Sequence, residues 1–435
     1  MTARWLRQVS LLSGPGLDPA PTDVLIAADG AIAAIGREVV DRAADLRLEP
    51  VDAGGLLLAP ALIDPHSLLE DPSNGRAESL PSLERSAVAA GYGTVALLPQ
   101  ASRWRDSPDA LGLPPLQTGL QLPLWGSLSR AGAGEDLAPH ADQLAAGAIG
   151  LAHDATTPPL PLLERALALA EMGDAPILLA PRDRALSQQG FVRESVEALR
   201  AGWPGDPALS ETLPLQALIA LARLHPQRRL RLMNISTAEA VALLAALAPA
   251  ERPLASVSWW HLLTDSGNLD PTAEGWRLEP PLGSPADRRA LREGLASGVL
   301  RAVAVHHLPL DPEEQLLPLD QRKPGVAGHR FVLPCLWQEL VVAARWPVAQ
   351  LWQALCFGPA ELLGMAPPQL AVGSRSWLLF DPGRPWSARH DGFAAQAANQ
   401  PLADAELCGQ VVAVGLNPRI WRGPVPQEAG GDPAR

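Results

Sequence analysis

Apolar residues in this chain come in short, nearly unbroken runs instead of alternating with polar ones. Eight runs have strand length: Leu56–Ile63, Thr94–Leu98, Leu120–Trp125, Ala148–Ala152, Pro176–Ala180, Leu230–Asn234, Leu254–Ser258 and Leu300–Val305. Continuous apolarity over such lengths predicts parallel strands covered on both faces. Helical segments with start signals lie between them. Ser236-Thr237-Ala238-Glu239 reads as a capping box opening Ala240–Leu247. Ser284-Pro285-Ala286-Asp287 opens Arg288–Ala296, with proline at the first helical position. Strands and helices alternating eight times predict an α/β fold, a (β/α)8 TIM barrel spanning residues 56–371.

The ends of the chain are patterned differently. Val24–Gly36 reads as a hairpin turning at Asp29-Gly30. Ser376–Pro382 and Gln410–Val414 are again short strands. Neither end has enough surface for a stable sheet of its own. Residues 1–55 and 372–421 are therefore expected to pair into a small, β-sandwich-like satellite domain built from both chain ends. Residues 422–435 read as a loose C-terminal tail.

Composition narrows the function classes. With 35 basic and 47 acidic residues the net charge is −12, which argues against nucleic acid or an anionic membrane as partner. No apolar stretch is long enough to span a bilayer, and a signal-peptide pattern is lacking. Cys335, Cys356 and Cys408 are scattered, which predicts no disulfide framework and a reduced, cytoplasmic setting.

The candidate chemistry sits at the end of the first run, Asp64-Pro65-His66-Ser67-Leu68-Leu69-Glu70-Asp71-Pro72. Strand residues two apart point the same way, so an Asp-x-His-x-His segment aims two imidazoles at one metal cluster. Here Leu68 stands in the second position. The segment resembles the dihydroorotase family of the amidohydrolase superfamily, and the resemblance runs along nearly the whole chain. It includes Asp29-Gly30-Ala31-Ile32, Leu378-Leu379-Phe380-Asp381-Pro382, Asn234-Ile235-Ser236-Thr237 and Glu279-Pro280-Pro281-Leu282.

That resemblance implies a zinc site at the C-terminal ends of the strands, with several ligand positions altered. His66 matches the first ligand and Leu68 replaces the second. Asp154 matches a ligand after strand four, within one position. Ala180 and Asn234 replace histidines after strands five and six. His306, in His306-His307-Leu308-Pro309, stands where the family carries an aspartate that is both ligand and base. A catalytic zinc usually needs three converging protein ligands, and without it nothing lowers the pKa of water from ~15.7 toward ~7. The substrate positions differ too. Glu70 replaces an arginine that grips the substrate carboxylate, and Gln100 and Glu279 replace asparagines. Like charges about 4 Å apart repel by roughly 4 kcal/mol at an effective dielectric near 20, which predicts weak binding of an anion.

These residues have ordinary readings as well. Taken alone, His66 on an apolar strand is more often a satisfied core histidine, and Asp154 reads also as a turn or helix-capping residue. Adjacent strand residues face opposite ways, so at most one of His306 and His307 points into the mouth. Trp259 and Trp260 suit either a plug for the mouth or a stacking surface for a ligand. Glu313–Lys323 matches a family loop over the mouth, or is simply a solvated loop. The expectation is a non-catalytic dihydroorotase-like protein without a cofactor, acting as a structural or regulatory partner. The resemblance implies aspartate carbamoyltransferase as that partner, and a homo-oligomer is a further option. Two alternatives stay open. One is an active cyclic amidohydrolase with a single zinc on His66, Asp154 and His306. The other is a ligand sensor using the old pocket.

Overall fold

The computed structural model describes residues 2–268, 277–318, 321–390 and 392–424. The N-terminal strands are β1 (Arg4–Leu11), β2 (Ala20–Ile26), β3 (Ile32–Ile35), β4 (Pro50–Asp52) and β5 (Leu57–Pro60). Next come β6 (Leu62–Ser67), β7 (Tyr92–Leu97), β8 (Trp125–Ser127), β9 (Gly150–Ala152) and β10 (Pro176–Leu179). Two very short strands follow, β11 (Val192–Arg193) and β12 (Gly205–Asp206), and then β13 (Arg229–Leu232), β14 (Leu254–Ser258) and β15 (Ala302–Ala304). The chain ends with β16 (Trp377–Ser387) and β17 (Glu406–Val414).

Eight of these strands run parallel in sequence order around a barrel. β6 pairs with β7, from Leu62 opposite Tyr92 to Ser67 opposite Leu97. Bridges at Thr94–Gln121 and Leu97–Leu124 carry the pairing on to the segment leading into β8. From there β8, β9, β10, β13, β14 and β15 form one sheet. Polar groups of the first strand close the circle. The Val305 N–H donates to Asp64 Oδ1 at 3.0 Å, and the His307 N–H to Ser67 Oγ at 2.9 Å. Every residue of β6 and β7 is buried, as the unbroken apolar runs predicted.

Two runs begin differently from expectation. Leu56–Ile63 is split: Leu57–Pro60 pairs with β1 and β16 in another sheet, and the barrel strand starts at Leu62. In Leu120–Trp125 the regular ladder starts only at Trp125, because Pro123 has no N–H to give to it. The proline carbonyl is still used, accepting from Leu97 N at 2.9 Å.

Strands from both ends share one seven-stranded sheet, ordered β17-β16-β5-β1-β2-β3 with β4 beside β1. The described residues of the two ends thus form a single sheet instead of two facing ones, since β16 pairs along the edge of β5. The Asp29-Gly30 turn joins β2 to β3. Gly30 sits there at φ +86°, and a Cβ on it would lie 2.3 Å from the Gly415 carbonyl oxygen. Of the expected tail, residues 422–424 are described and 425–435 lie outside the described residues. No described helix is long and apolar enough to cross a membrane.

The helix starts divide. Ser284 and Asp287 form the expected capping box, opening Pro285–Ala296. Thr237, not Ser236, caps Ala238–Ala245, accepting from Ala240 N at 3.2 Å. Ser236 is drawn away into buried bonds with Arg193 and Glu211.

Candidate functional site

At the C-terminal ends of the barrel strands the structure brings two of the three candidate ligands together. Nδ1 of His66 lies 3.1 Å from Nδ1 of His306, so one of the two must carry a proton. The other His66 nitrogen, Nε2, is 2.9 Å from Ser256 Oγ on β14. Both rings are buried. Burial and the neighbouring imidazole push His66 down to about 3, and burial pushes His306 down to about 4. Both are neutral at pH 7, and both are very weak bases.

The third candidate does not join them. Asp154 Oδ1 accepts from the Thr156 N–H at 2.8 Å and from the Thr156 hydroxyl, a turn arrangement. Its other oxygen is 3.6 Å from Arg184 Nη1. Among the described residues no group of three or more histidine, cysteine, aspartate or glutamate side chains is arranged to hold a metal ion. Leu68 offers no donor side chain, and its N–H is bound to the His307 carbonyl at 2.9 Å. Zinc, which the family resemblance implies, therefore does not fit the residues present.

His306 and His307 diverge, as the strand argument required, but not because they lie in a strand. β15 ends at Ala304, and His306 adopts a left-handed φ of +49°. His306 faces His66. His307 points behind the first strand, with Nε2 3.1 Å from Glu78 Oε2. There Asp64 accepts from His329 and Ser67. Burial works to raise the Asp64 carboxyl, but these bonds and the nearby imidazoles hold it below the usual carboxylate range. This polar cluster serves closure of the barrel.

Three altered positions, Ala180, Asn234 and Glu279, border one cavity with His306. The cavity offers about 10 Å³, enough for about one water molecule. Both side-chain polar atoms of Asn234, together with Nε2 of His306, are buried there without a protein partner. Arg182, Arg193, Glu211, Met233 and Pro280 complete much of its wall.

The charges in that wall form a network. Arg182 bridges Glu279 at 3.1 Å and Asp206 at 3.0 Å. Arg184 makes a two-pronged bond to Glu279, with both N–H···O distances 3.0 Å. Arg193 meets Asp206 at 3.1 Å, Glu211 at 3.3 Å, Ser210 Oγ at 2.7 Å and Ser236 Oγ at 2.8 Å. The Ser236 N–H donates to Glu211 at 2.7 Å, which is why Thr237 takes over the cap. Burial pushes the Glu211 carboxyl up, against the pull of Arg193.

This network corrects the expectation of simple repulsion at Glu279, because two arginines neutralise that carboxylate. Sequence reading passed over Arg182 and Arg184, although Pro181-Arg182-Asp183-Arg184 directly follows the position that Ala180 occupies. Glu70 is exposed, and its charge acts on Lys323 of the 313–323 loop. Residues 319 and 320 of that loop lie outside the described residues. Gln100 Oε1 is buried without a partner. Neither tryptophan borders the cavity beside His306. Trp259 lies against Gly328, and Trp260 lines a groove between helices with Cys335 and Leu263. A helix starting at Trp259 carries both rings away from that cavity, so they serve there as neither plug nor stacking surface.

No protein-family model matches the chain. It is 33% identical over 417 residues to a probable dihydroorotase-like protein of Synechocystis sp., covering 87% of this chain and 93% of that one. A dihydroorotase of Pelotomaculum thermopropionicum is 30% identical over 398 residues, covering 89% and 91% of the two chains. A dihydroorotase of Solibacter usitatus is 27% identical over 425 residues, covering 94% and 96%. Among solved structures, an L-hydantoinase (dihydropyrimidinase) from Arthrobacter aurescens matches with a TM-score of 0.78 at 19% identity, over 98% of each chain. At that identity the likeness concerns the (β/α)8 amidohydrolase fold alone.

Proposed function

The chain belongs to the dihydroorotase family of the amidohydrolase superfamily, and on that premise we propose that it is a catalytically silent member acting as a structural or regulatory partner. One observation carries the proposal. Ala180, Asn234 and His306, at positions where the family resemblance places metal ligands, border a cavity of only about 10 Å³. Small-molecule sites usually offer ~300–1,000 Å³. Arg182, Arg193, Glu211 and Glu279 crowd the cavity's wall, held by ion pairs, and the neighbouring cleft of about 570 Å³ lined by Arg182 and Arg184 reaches none of those three positions. With no donor set for a divalent cation, water at His66 keeps a pKa near ~15.7. His306, down at about 4, is no stronger a base than the family's aspartate, and without a metal it has no acidified water to deprotonate.

The His66–His306 contact favours a second reading, a cyclic amidohydrolase with one metal. The engagement of Asp154 with Thr156 and Arg184 weighs against it. For the partner role we propose aspartate carbamoyltransferase, on the family resemblance. Two assays on purified protein separate these claims. Dihydroorotate should not turn over above background, with or without added zinc, and the chain should co-elute with the transcarbamoylase at micromolar concentration. Turnover abolished by chelation would overturn silence. Separate elution would overturn the partner assignment alone.

A further inference from the structure

At the opposite end of the barrel the chain reads Arg228-Arg229-Leu230-Arg231 entering β13, and Glu251-Arg252-Pro253 entering β14. Residues that precede barrel strands lie at the N-terminal face, away from the mouth. With Arg223 they line a groove of about 520 Å³. Five arginines there meet one carboxylate, Glu251, in a chain whose net charge is −12. The local excess is five minus one, or four positive charges.

These arginines do different things. Arg228 donates to the carbonyls of Leu167 and Gly173, and Arg252 to those of Leu244, Ala245 and Leu247. Such bonds fix the guanidinium groups without cancelling their charge. Arg223 shares an exposed ion pair with Glu251 at 3.3 Å. Arg229 and Arg231, two residues apart on β13, share one face of the strand. Arg229 is exposed, and its side chain has no hydrogen bond or ion pair among the described residues. Nε of Arg231 is buried without a partner. Burial and the charge of Arg229 push Arg231 down to about 10, so it stays charged at neutral pH.

Grouped guanidinium forks with spare donors match the paired oxygens of phosphoryl groups. One phosphate carries about −1.5 to −2 at neutral pH, so an excess of four calls for two or more. No aromatic ring lines the groove to stack a base, which leaves recognition to the anion itself. We propose that this groove binds a small phosphate-rich anion carrying at least two phosphoryl groups, held between Arg229 and Arg231. The site is separate from the barrel mouth, and it stands or falls independently of catalytic silence.

Calorimetric titration of the full chain with inorganic tripolyphosphate tests this. One saturable site is expected, weakening about tenfold when salt is raised to screen the charges. R229A and the double variant R229A/R231A should weaken it by a further factor of about ten or more, while E251Q should tighten it. Arg229 is exposed, so R229A should melt like the parent protein and keep the comparison valid if the double variant folds poorly. Absence of saturable binding at millimolar tripolyphosphate would overturn the proposal, as would unchanged binding by R229A. Binding of a polyglutamate peptide with tripolyphosphate inert would assign the groove to an acidic protein segment instead, and overturn it equally.

Discussion

Replacing Arg193 with methionine is expected to lower the free energy of unfolding by about 3–5 kcal/mol. Arg193 is 2% exposed, and its partners Asp206 and Glu211 are 0% and 1% exposed. Removing the guanidinium leaves two carboxylates in the interior. Arg182 still answers Asp206 at 3.0 Å, but Glu211 is left with neutral hydrogen-bond partners, the Ser236 hydroxyl and N–H and the Thr237 side chain. Lysine is no substitute, because it lacks the planar fork that reaches four partners at once. Removing an exposed arginine gives the contrast. Arg42→Ala breaks a 3.6 Å pair with Glu38, four residues earlier on a helix, and an exposed bond to the Ala33 carbonyl, and should cost no more than about 1 kcal/mol. Urea unfolding of the three proteins measures both effects. A loss at Arg193 as small as that at Arg42 would mean that water reaches the network, and that the mouth is open.

Acid should destabilise the fold well before the carboxylates titrate. His66 is held down to about 3, and His261 and His306 to about 4, chiefly by burial. The unfolded chain takes up protons at these histidines near ~6.5 while the folded chain does not. Their contribution is therefore complete above about pH 6.5, and it falls as the pH drops toward the folded values. Each loses about 2 kcal/mol by pH 5, because the unfolded chain protonates there while the folded one does not, so the three together should lose roughly 6 kcal/mol. Asp64 and Glu78 lie below the usual carboxylate range and weaken the fold only at lower pH. Unfolding free energies equal at pH 7 and pH 5 would show that these imidazoles are solvated in the folded protein.

Much of the barrel was legible because its strands are buried on both faces, which writes each as a continuous apolar run. Pairing detail was not. Pro60 and Pro123 look like ordinary members of their runs, yet they mark where one strand changes sheets and where another starts late. At the site, Ala180, Asn234 and His306 could be read as substitutions in a resembled pattern, and the structure sets them around one cavity. What fills that cavity was hidden. Glu279 alone suggested an unanswered charge, and Arg182 and Arg184 lie 97 and 95 residues earlier in the chain. Arg193 and Asp206 sit on two-residue strands too short to leave a periodic signal. Ser236 satisfied a capping pattern locally, but a buried carboxylate and guanidinium outweigh one helix cap.

The zinc content of the protein tests the central claim most directly. Protein purified without chelators, equilibrated with excess zinc and desalted should retain well under one equivalent, and H66A should retain the same amount. Retention of one or two equivalents, lost in H66A, would contradict the account, because the barrel mouth would then hold the cation for which we find no set of ligands.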